Sequence, residues 1–310
     1  MKNSKIQKII ENIKKENVVI KSSGTSGSKP KKNKLSIKKI KSKYKRKNYP
    51  DNYILGFFYD LESWAAINTI LFCQVNDIDF VYLKSVNDIF NKKIDHLCMT
   101  PSQIRQCAML DKEYEIAIKI TLGGEYSTQH DIDLARKIFP NAIISHVYSS
   151  TETGDICSSS DMKEGFCKEK FKNIIVNKDH VVINEKKLND IWVLKNDRYY
   201  FKGRSDCFVK VAGLKVNLEE IEKEIMSLSV VEDCVLYAKE NKITENILIL
   251  EYVGKIDKNS LKLKLRETLK KHEMPIIKKV KKIKLNKNGK KQRINNENSF
   301  SDRWFKRFGF

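Results

Sequence analysis

The chain has 310 residues, enough for one large and one small domain, each with its own core. It carries 60 Lys and Arg residues against 39 Asp and Glu residues, and this net charge of +21 suits an anionic partner such as a nucleotide, coenzyme A, a carrier protein, nucleic acid or a membrane surface. Its 7 cysteines are odd in number and include no C-x-x-C pair, which argues against a disulfide framework and a zinc site. No long apolar run is present, which argues against a membrane span. Together these features predict a reduced, cytoplasmic protein.

The first half of the chain alternates between short apolar runs and helical patterns. An amphipathic helix is expected over 1–17, a strand at 18–20, and a Lys-rich polar connector over 33–50. Residues 54–73 begin apolar and continue as a helix. Strands are then predicted at 79–83, 95–99, 116–122 and 142–147, with helices at 102–111 and 128–138. This alternation is typical of an α/β domain with a largely parallel sheet.

The second half changes character twice. Residues 155–200 contain short strand-like pieces between polar turns, which predict a small antiparallel β region. Beyond residue 206, the predicted strands and helices form a separate α+β unit. We therefore predict a core domain over 1–203 and a smaller domain over 204–310. The tail, FSDRWFKRFGF, interleaves aromatic and basic residues and is expected to dock on the protein itself or, alternatively, on a membrane surface.

Five motifs carry the chemistry of this sequence. The first, SSGTSGSKPK at 22–31, offers glycine amides, hydroxyl donors and lysines, which together suit a polyphosphate, although such stretches are also common as flexible linkers. It lacks the spacing of a P-loop. The other four motifs are LGGE at 122–125, VYSSTE at 147–152, LND at 188–190 with KGRSD at 202–206, and NGKKQR at 288–293.

In this order, the motifs resemble those of the adenylate-forming ligases, which include acyl-CoA synthetases and peptide-synthetase adenylation domains. The resemblance implies a layered α/β adenylation core with a small β region and a mobile C-terminal α+β lid domain. The implied activity is ATP-dependent activation of a carboxylic acid as its adenylate, followed by transfer to the phosphopantetheine thiol of coenzyme A or of an acyl or peptidyl carrier protein.

The same resemblance implies roles for individual residues. It implies phosphate contacts from Ser23, Gly24, Thr25, Ser26, Gly27 and Lys31, adenine contacts from Gly123, Gly124, Glu125 and Tyr148, and ribose or phosphate contacts from Asp190 and Arg204. Thr151 is expected to contact phosphate and Glu152 to hold Mg²⁺. Lys290 is expected to be the adenylation lysine, and Asp206 the hinge. One extra residue between Gly27 and Pro30 leaves open whether Lys29 or Lys31 meets the phosphates.

Three departures from the family pattern leave alternatives open. In full-length relatives a further subdomain precedes the phosphate loop, so the chain is expected to be naturally minimal, to rely on a separate protein for that part, or to have lost activity. If a separate protein supplies that part, the chain is the nucleotide-binding subunit of a split enzyme. If activity has been lost, it is a non-catalytic nucleotide-binding subunit. Ser149 replaces a usual glycine, and the threonine and glycine that usually precede Asp190 are absent.

The acyl substrate is indicated by one weak signal. The segment Phe58–Ser63 resembles the part of peptide-synthetase adenylation domains in which an Asp binds the substrate's amino group, and Asp60 would take that role. Alternatively, Asp60 caps a helix that begins near Leu61. The lysine run at 31–47 raises nucleic-acid binding as a further alternative, but no nucleic-acid-binding motif accompanies it, and we expect no nucleic-acid partner.

Overall fold

The computed structural model describes residues 17–21, 32–150, 153–171, 173–205, 207–286 and 289–292. The chain divides into two compact units. Unit 1 contains Met1–Phe208 and Leu285–Lys290, and unit 2 contains Val209–Lys284 and Lys291–Phe310. The predicted N-terminal helix and the aromatic tail lie outside the described residues. Across the described ranges, no helix is long and apolar enough to cross a membrane.

Unit 1 is built around a six-stranded sheet. Its strands are β3 (Ile54–Phe57), β4 (Asp79–Tyr82), β5 (His96–Met99), β6 (Lys119–Leu122), β7 (Ile143–Ser150) and β8 (Gly154–Ser159). They lie in the order β4-β3-β5-β6-β7-β8. The first five strands in this order run parallel, and β8 pairs antiparallel with β7. The predicted α/β class and its largely parallel sheet are therefore confirmed.

Helices cover both faces of this sheet. The helices of unit 1 are α1 (Ile37–Lys41), α2 (Trp64–Asn76), α3 (Pro101–Ala108) and α4 (Gln129–Ile138). Cys98 packs in one hydrophobic cluster with α1 and α2, whereas Leu97 and Met99 pack in a second cluster with α3 and α4. Because side chains alternate between the faces of a strand, the two clusters lie on opposite faces, in the layered arrangement expected of α/β domains.

The polar connector expected over 33–50 is wrong in its first part. Strand β2 (Lys32–Ser36) pairs antiparallel with β1 (Asn17–Lys21), and α1 follows directly. Within α1, Ile37 and Ile40 are each only 5% exposed and join the core. Their i, i+3 spacing places both on one helix face, so an amphipathic helix was visible in the sequence despite the surrounding lysines.

A small antiparallel β region completes unit 1. Its strands are β9 (Phe166–Cys167), β10 (Ile174–Val176), β11 (Val181–Ile183), β12 (Lys186–Leu188), β13 (Asp190–Lys195) and β14 (Arg198–Arg204). They form two three-stranded sheets, β10-β11-β12 and β13-β14-β9. Phe166, Phe171 and Trp192 are buried at the centre of an aromatic cluster beneath them. This region agrees with the prediction for 155–200.

Unit 2 is an α+β fold with its own core. Strands β17 (Val231–Asn241), β18 (Glu245–Gly254) and β19 (Ile276–Lys279) form a mixed sheet, and β15 (Phe208–Val211) pairs with β16 (Leu214–Asn217). Helices α5 (Leu218–Met226) and α6 (Lys258–Thr268) contribute Ile221, Ile225, Leu261 and Leu265 to the core. Asn217 caps α5 through its side chain, which accepts hydrogen bonds from the first turn.

Candidate active site

Three predicted site residues, Asp60, Gly123 and Gly124, lie at one edge of the parallel sheet. Strands β3, β5 and β6 are mutually parallel neighbours, so their carboxyl ends meet at the same edge. Asp60 follows β3, Thr100 follows β5, and Gly123 and Gly124 follow β6. Open α/β sheets bind ligands at the carboxyl ends of their strands, so this edge is the expected place for a nucleotide or an acyl group.

The Gly123–Glu125 turn is fixed to the neighbouring strand and helix. The Gly123 N–H donates to the Met99 carbonyl over 3.0 Å, and Gly124 has a φ of +83°. The Glu125 carboxylate accepts a 3.0 Å hydrogen bond from the Ser102 N–H in the first turn of α3. A carboxylate at a helix N-terminus is electrostatically favourable. Glu125 therefore holds the turn in place, and its implied contact with adenine stays a prediction.

The lysine chosen from the sequence lies against this turn. A Cβ atom built on Gly124 would be 3.5 Å from Cε of Lys290. Within the same unit, the Thr100 hydroxyl donates a 2.7 Å hydrogen bond to the Gly289 carbonyl. Gly289 has a φ of +72°, and a Cβ there would lie 2.5 Å from Nε2 of Gln103. Glycine is therefore required at position 289, where the backbone has positive φ and lies close to α3. The next residue, Lys290, lies beside the Gly124 turn at the end of β6.

Tyr148, Asp190 and Arg204 form one hydrogen-bonded chain. The Tyr148 hydroxyl donates to one oxygen of Asp190 over 2.5 Å, and the Arg204 guanidinium donates to the other over 3.2 Å. Asp190 opens β13 and Arg204 closes β14, and the two are direct cross-strand partners. Burial, reinforced by the Asp190 carboxylate, raises the pKa of Tyr148 far above its usual value, so the hydroxyl remains a donor at neutral pH.

The motifs imply that this chain of residues contacts a ribose and a purine, and these contacts stay predictions. A carboxylate accepts up to about four hydrogen bonds, so the chemistry of this side chain is compatible with donors such as ribose hydroxyls. The Tyr148 side chain is only half-buried, and its ring packs against Trp192 at a centroid distance of 4.9 Å. Its remaining exposed surface is available to a flat heterocycle, which is the role that the motif implies.

The segment around Asp60 lies at the same edge. The hydroxyl of Tyr59 would be 3.7 Å from a Cβ on Gly123, and the Trp64 ring would be 3.0 Å from a Cβ on Gly154. The half-buried Asp60 carboxylate accepts a 2.9 Å hydrogen bond from the Glu62 N–H. Burial and, to a smaller extent, the negative charge of Asp60 raise the pKa of Tyr82. The Asp60 carboxylate therefore interacts electrostatically with the last residue of β4.

The alternative role of Asp60 as a helix cap is wrong. Helix α2 begins at Trp64 rather than near Leu61, and its cap is Ser63, whose hydroxyl accepts a 3.2 Å hydrogen bond from the Ala66 N–H. Asp60 instead closes a turn, in which its carbonyl accepts from the Ser63 N–H over 2.8 Å. The Asp60 carboxylate thus has a local role in this turn, and its implied role in substrate binding stays a prediction.

Several predicted site residues lie outside the described residues. They are Ser23, Gly24, Thr25, Ser26, Gly27, Lys31, Thr151, Glu152 and Asp206, together with the alternative phosphate ligand Lys29. The strands that flank the predicted phosphate loop pair antiparallel, with Lys21 opposite Lys32, so the ends of that loop are neighbours. The described ranges contain no cluster of three or more metal-binding side chains, and the implied Mg²⁺ ligand Glu152 is not among them.

Sequence reasoning missed two residues that organise this edge. Thr100 caps α3 in a capping box with Gln103, and both side chains meet the Gly289 segment from a sequence distance of almost two hundred residues. The local signal was present, because a Thr-Pro pair at the end of a strand is typical of a helix start. No sequence pattern connected it to Gly289.

Comparison with known proteins identifies chains that have a similar sequence or fold. No family model matches the chain. The D-alanine–D-alanyl carrier protein ligase of Lactococcus lactis subsp. lactis (strain IL1403) is 26% identical, and the match covers 63% of this chain and 50% of that protein. The chain therefore spans about half the length of this curated relative.

Solved structures of other ligases have a similar fold at lower sequence identity. The R195K variant of Escherichia coli MenE with bound OSB-AMS superposes with a TM-score of 0.68 at 12% identity, covering 84% of this chain and 63% of that one. ATP-bound MatB from Rhodopseudomonas palustris gives 0.67 at 14% identity, with coverages of 88% and 66%. The AMP complex of the Bacillus subtilis O-succinylbenzoate coenzyme A synthetase gives 0.63 at 15% identity, with coverages of 92% and 68%. The chain has the fold of these ligases, as the motifs predicted.

Proposed function

We propose that this chain activates a carboxylic acid with ATP, forming an acyl-adenylate and pyrophosphate, and then passes the acyl group to a phosphopantetheine thiol. The observation that carries this proposal is the position of Lys290 over Gly124, at the carboxyl edge of the parallel sheet. The fold shared with coenzyme A and carrier-protein ligases supports it. So does the Tyr148–Asp190–Arg204 chain, which fits a nucleoside.

The chemistry asks for positive charge near the reacting phosphorus. In the first step, a carboxylate oxygen of the substrate bonds to the α-phosphorus, the bond from this phosphorus to the bridging oxygen breaks, and pyrophosphate leaves with that electron pair. Lys290 neutralises charge that develops on the carboxylate and the α-phosphate. The loop at 22–31 and Thr151 would hold the phosphates, and Glu152 would hold the Mg²⁺ that shields them, as the resemblance implies.

In the second step, the thiolate sulfur attacks the acyl carbon and AMP leaves. The acceptor is coenzyme A or a carrier protein, and the net positive charge of the chain favours the approach of either, because both are acidic. The lid role of unit 2 and the hinge at Asp206 are parts of this proposal that rest on the resemblance. Closure and opening of such a lid is a common way to separate two half-reactions.

For the substrate class, we propose an amino acid. The carboxylate of Asp60 lies in a turn after β3, beside Tyr59, which approaches the Gly123 turn. A substrate ammonium group needs an anionic partner that is partly shielded from water, and the half-buried Asp60 provides one. The curated relative is a D-alanine–D-alanyl carrier protein ligase, which agrees with this choice.

A split enzyme is the second candidate. In this candidate, a separate protein supplies further parts of the site. This candidate makes a different prediction, because ATP binding would then occur without turnover until the partner protein is added.

The test is ATP–pyrophosphate exchange with the purified chain across amino, aryl and fatty acids. We expect exchange that depends on an amino acid and falls by about 10²–10³-fold in Lys290→Ala, as when one charge-stabilising donor is removed from an active site. Lys282→Ala, which changes an exposed lysine of the same segment, is the matched control and should leave exchange unchanged. Asp60→Asn should abolish exchange with amino acids.

Two results would contradict the proposal. Exchange that is equal in Lys290→Ala and Lys282→Ala would remove Lys290 from the reaction. ATP binding without exchange for any acid would reject the chain as a complete enzyme and favour the split-enzyme candidate.

A further inference from the structure

Two adjacent lysines, Lys290 and Lys291, have different environments. Lys290 belongs to unit 1, where its side chain passes the Gly124 turn, and Lys291 belongs to unit 2. The chain thus passes from one unit to the other at the peptide bond between them. The proposed adenylation mechanism uses only the first of these lysines.

Lys291 is buried in unit 2 between two carboxylates. Its ammonium nitrogen lies 3.0 Å from Oε1 of Glu222 on α5 and 3.0 Å from Oδ1 of Asp233 on β17. It also donates a hydrogen bond to the Cys234 carbonyl. The Lys291 side chain is only 6% exposed, and the Asp233 side chain only 1%. Three donors of the ammonium group therefore meet three acceptors in a shielded position.

Burial of this lysine is not what the fold alone requires. Lysine is seldom buried, and apolar side chains that replaced the lysine and both carboxylates together would fill the same space without the cost of removing charges from water. Glu222 is itself fixed, because its Oε2 accepts a 2.9 Å hydrogen bond from the Leu236 N–H. The ion pair with Asp233 and Glu222 thus specifies one position for the Lys291 backbone in unit 2.

A short hairpin connects that position to Lys290. The Gln292 N–H donates to the Lys284 carbonyl over 2.9 Å and closes its base. Nearer the tip, the Asn286 N–H donates to the Lys290 carbonyl over 2.7 Å, and the Lys290 N–H donates to Oδ1 of Asn286 over 3.1 Å. Consecutive Cα atoms are about 3.8 Å apart, so fixing Lys291 restricts the place from which the Lys290 side chain starts.

We propose that Lys291 is a positioning residue for adenylate formation, whose buried ammonium group fixes the hairpin that presents Lys290. This inference rests on the proposed function of Lys290. It names a residue of the same reaction that touches neither nucleotide nor acid. Misplacing a catalytic group by about 1 Å can cost about 10²-fold in rate, which sets the size of the expected effect.

The test compares Lys291→Met with wild type in the two half-reactions and in hydrogen exchange. We expect the rate of adenylate formation, measured by pyrophosphate exchange, to fall about 10–100-fold with little change in KM for ATP. Thioester formation from a supplied acyl-adenylate should change less than threefold, because that step does not use Lys290. The amide hydrogens of Asn286, Gly289 and Lys290 should exchange with deuterium at least tenfold faster.

Two further variants keep the test decisive. Lys282→Met removes an exposed lysine of the same segment and should change none of these readings. If Lys291→Met does not fold, the double variant Lys291→Met with Asp233→Asn removes one charge of each sign and so keeps the net charge of the cluster. The same losses are expected from it.

Several results would overturn the inference. Equal losses in both half-reactions would mean that Lys291 acts only on stability. Unchanged adenylate formation would mean that the hairpin does not need it, and unchanged hydrogen exchange at 286–290 would exclude the anchor. If wild type shows no adenylate formation with any acid, the proposed function fails, and hydrogen exchange still decides whether Lys291 fixes the hairpin.

Discussion

The Asp190 carboxylate gives the sharpest test of the nucleotide site. Asp190→Asn keeps the shape of the side chain but removes the charge that pairs with Arg204 over 3.2 Å. It also weakens the acceptor that Tyr148 uses, and it replaces two acceptor oxygens at the proposed ribose site by one acceptor and one donor. We therefore expect nucleotide binding to weaken through the ribose rather than through the phosphates.

The magnitude follows from the bonds involved. A hydrogen bond to a charged group contributes about 1.5–3 kcal/mol, and about 1.4 kcal/mol corresponds to a tenfold change in affinity. The Arg204 side chain is 34% exposed, so solvent screens its pairing with Asp190 and that contribution is small. The expected loss of ATP affinity is about 10–100-fold, carried by the ribose hydroxyls.

Isothermal titration with ATP and with 2′,3′-dideoxy-ATP measures this directly. Wild type should prefer ATP by about tenfold or more, and Asp190→Asn should bind both ligands with similar affinity. Asp197→Asn, which changes an exposed aspartate in the turn between β13 and β14, is the matched control and should keep the preference. A preference that survives in Asp190→Asn would refute a ribose contact for this carboxylate.

Three other substitutions probe the scaffold of the site. Burial alone would raise the pKa of Asp131, but the buried Arg105 guanidinium at 2.7 Å and nearby hydrogen bonds lower it, so Asp131→Asn should cost about 3–5 kcal/mol in urea unfolding. The pKa of Asp131 is lower in the folded than in the unfolded protein, so its charge stabilises the fold above about pH 3.9, and this stabilisation is lost as the pH falls through the folded pKa. The difference in unfolding free energy between wild type and Asp131→Asn should therefore narrow in acid. Ser63→Ala removes the cap of α2 and should lower the free energy of unfolding by about 1 kcal/mol, and an unchanged midpoint would argue against the cap. Gly289→Ala places a Cβ at positive φ beside α3, and pyrophosphate exchange should fall at least about tenfold while ATP binding persists; retention of full exchange would show that the close approach is not needed.

Much of the core was predictable because its central strands β3 and β5 are short apolar runs buried on both faces. Leu55, Phe57, Leu97 and Leu122 are at most 1% exposed, and such runs separated by helical patterns point to a parallel sheet. The segment at 32–41 was harder to predict. Backbone pairing of β1 with β2 does not depend on side-chain hydrophobicity, and the lysines around Ile37 and Ile40 masked a two-residue apolar face.

The site shows the same division between local and long-range information. Motif spacing brought Gly124, Tyr148, Asp190 and Lys290 into consideration, because each lies next to a recognisable turn or strand end. The hydrogen bond from Thr100 to Gly289 joins residues whose separation exceeds any periodic pattern. Such contacts arise from tertiary packing alone, so they required the structure.

The lysine pair shows what the structure adds to a motif. In the N-G-K-K segment both lysines carry the charge that adenylation requires, and spacing alone favoured Lys290. Lys291 has its ammonium group enclosed by Glu222, Asp233 and a backbone carbonyl, so it cannot reach a substrate without leaving buried carboxylates unpaired, which is costly. Lys290 instead extends past a glycine at the edge of the sheet. The buried environment of Lys291 thus supports Lys290 as the adenylation lysine, because its neighbour already has a different physical role.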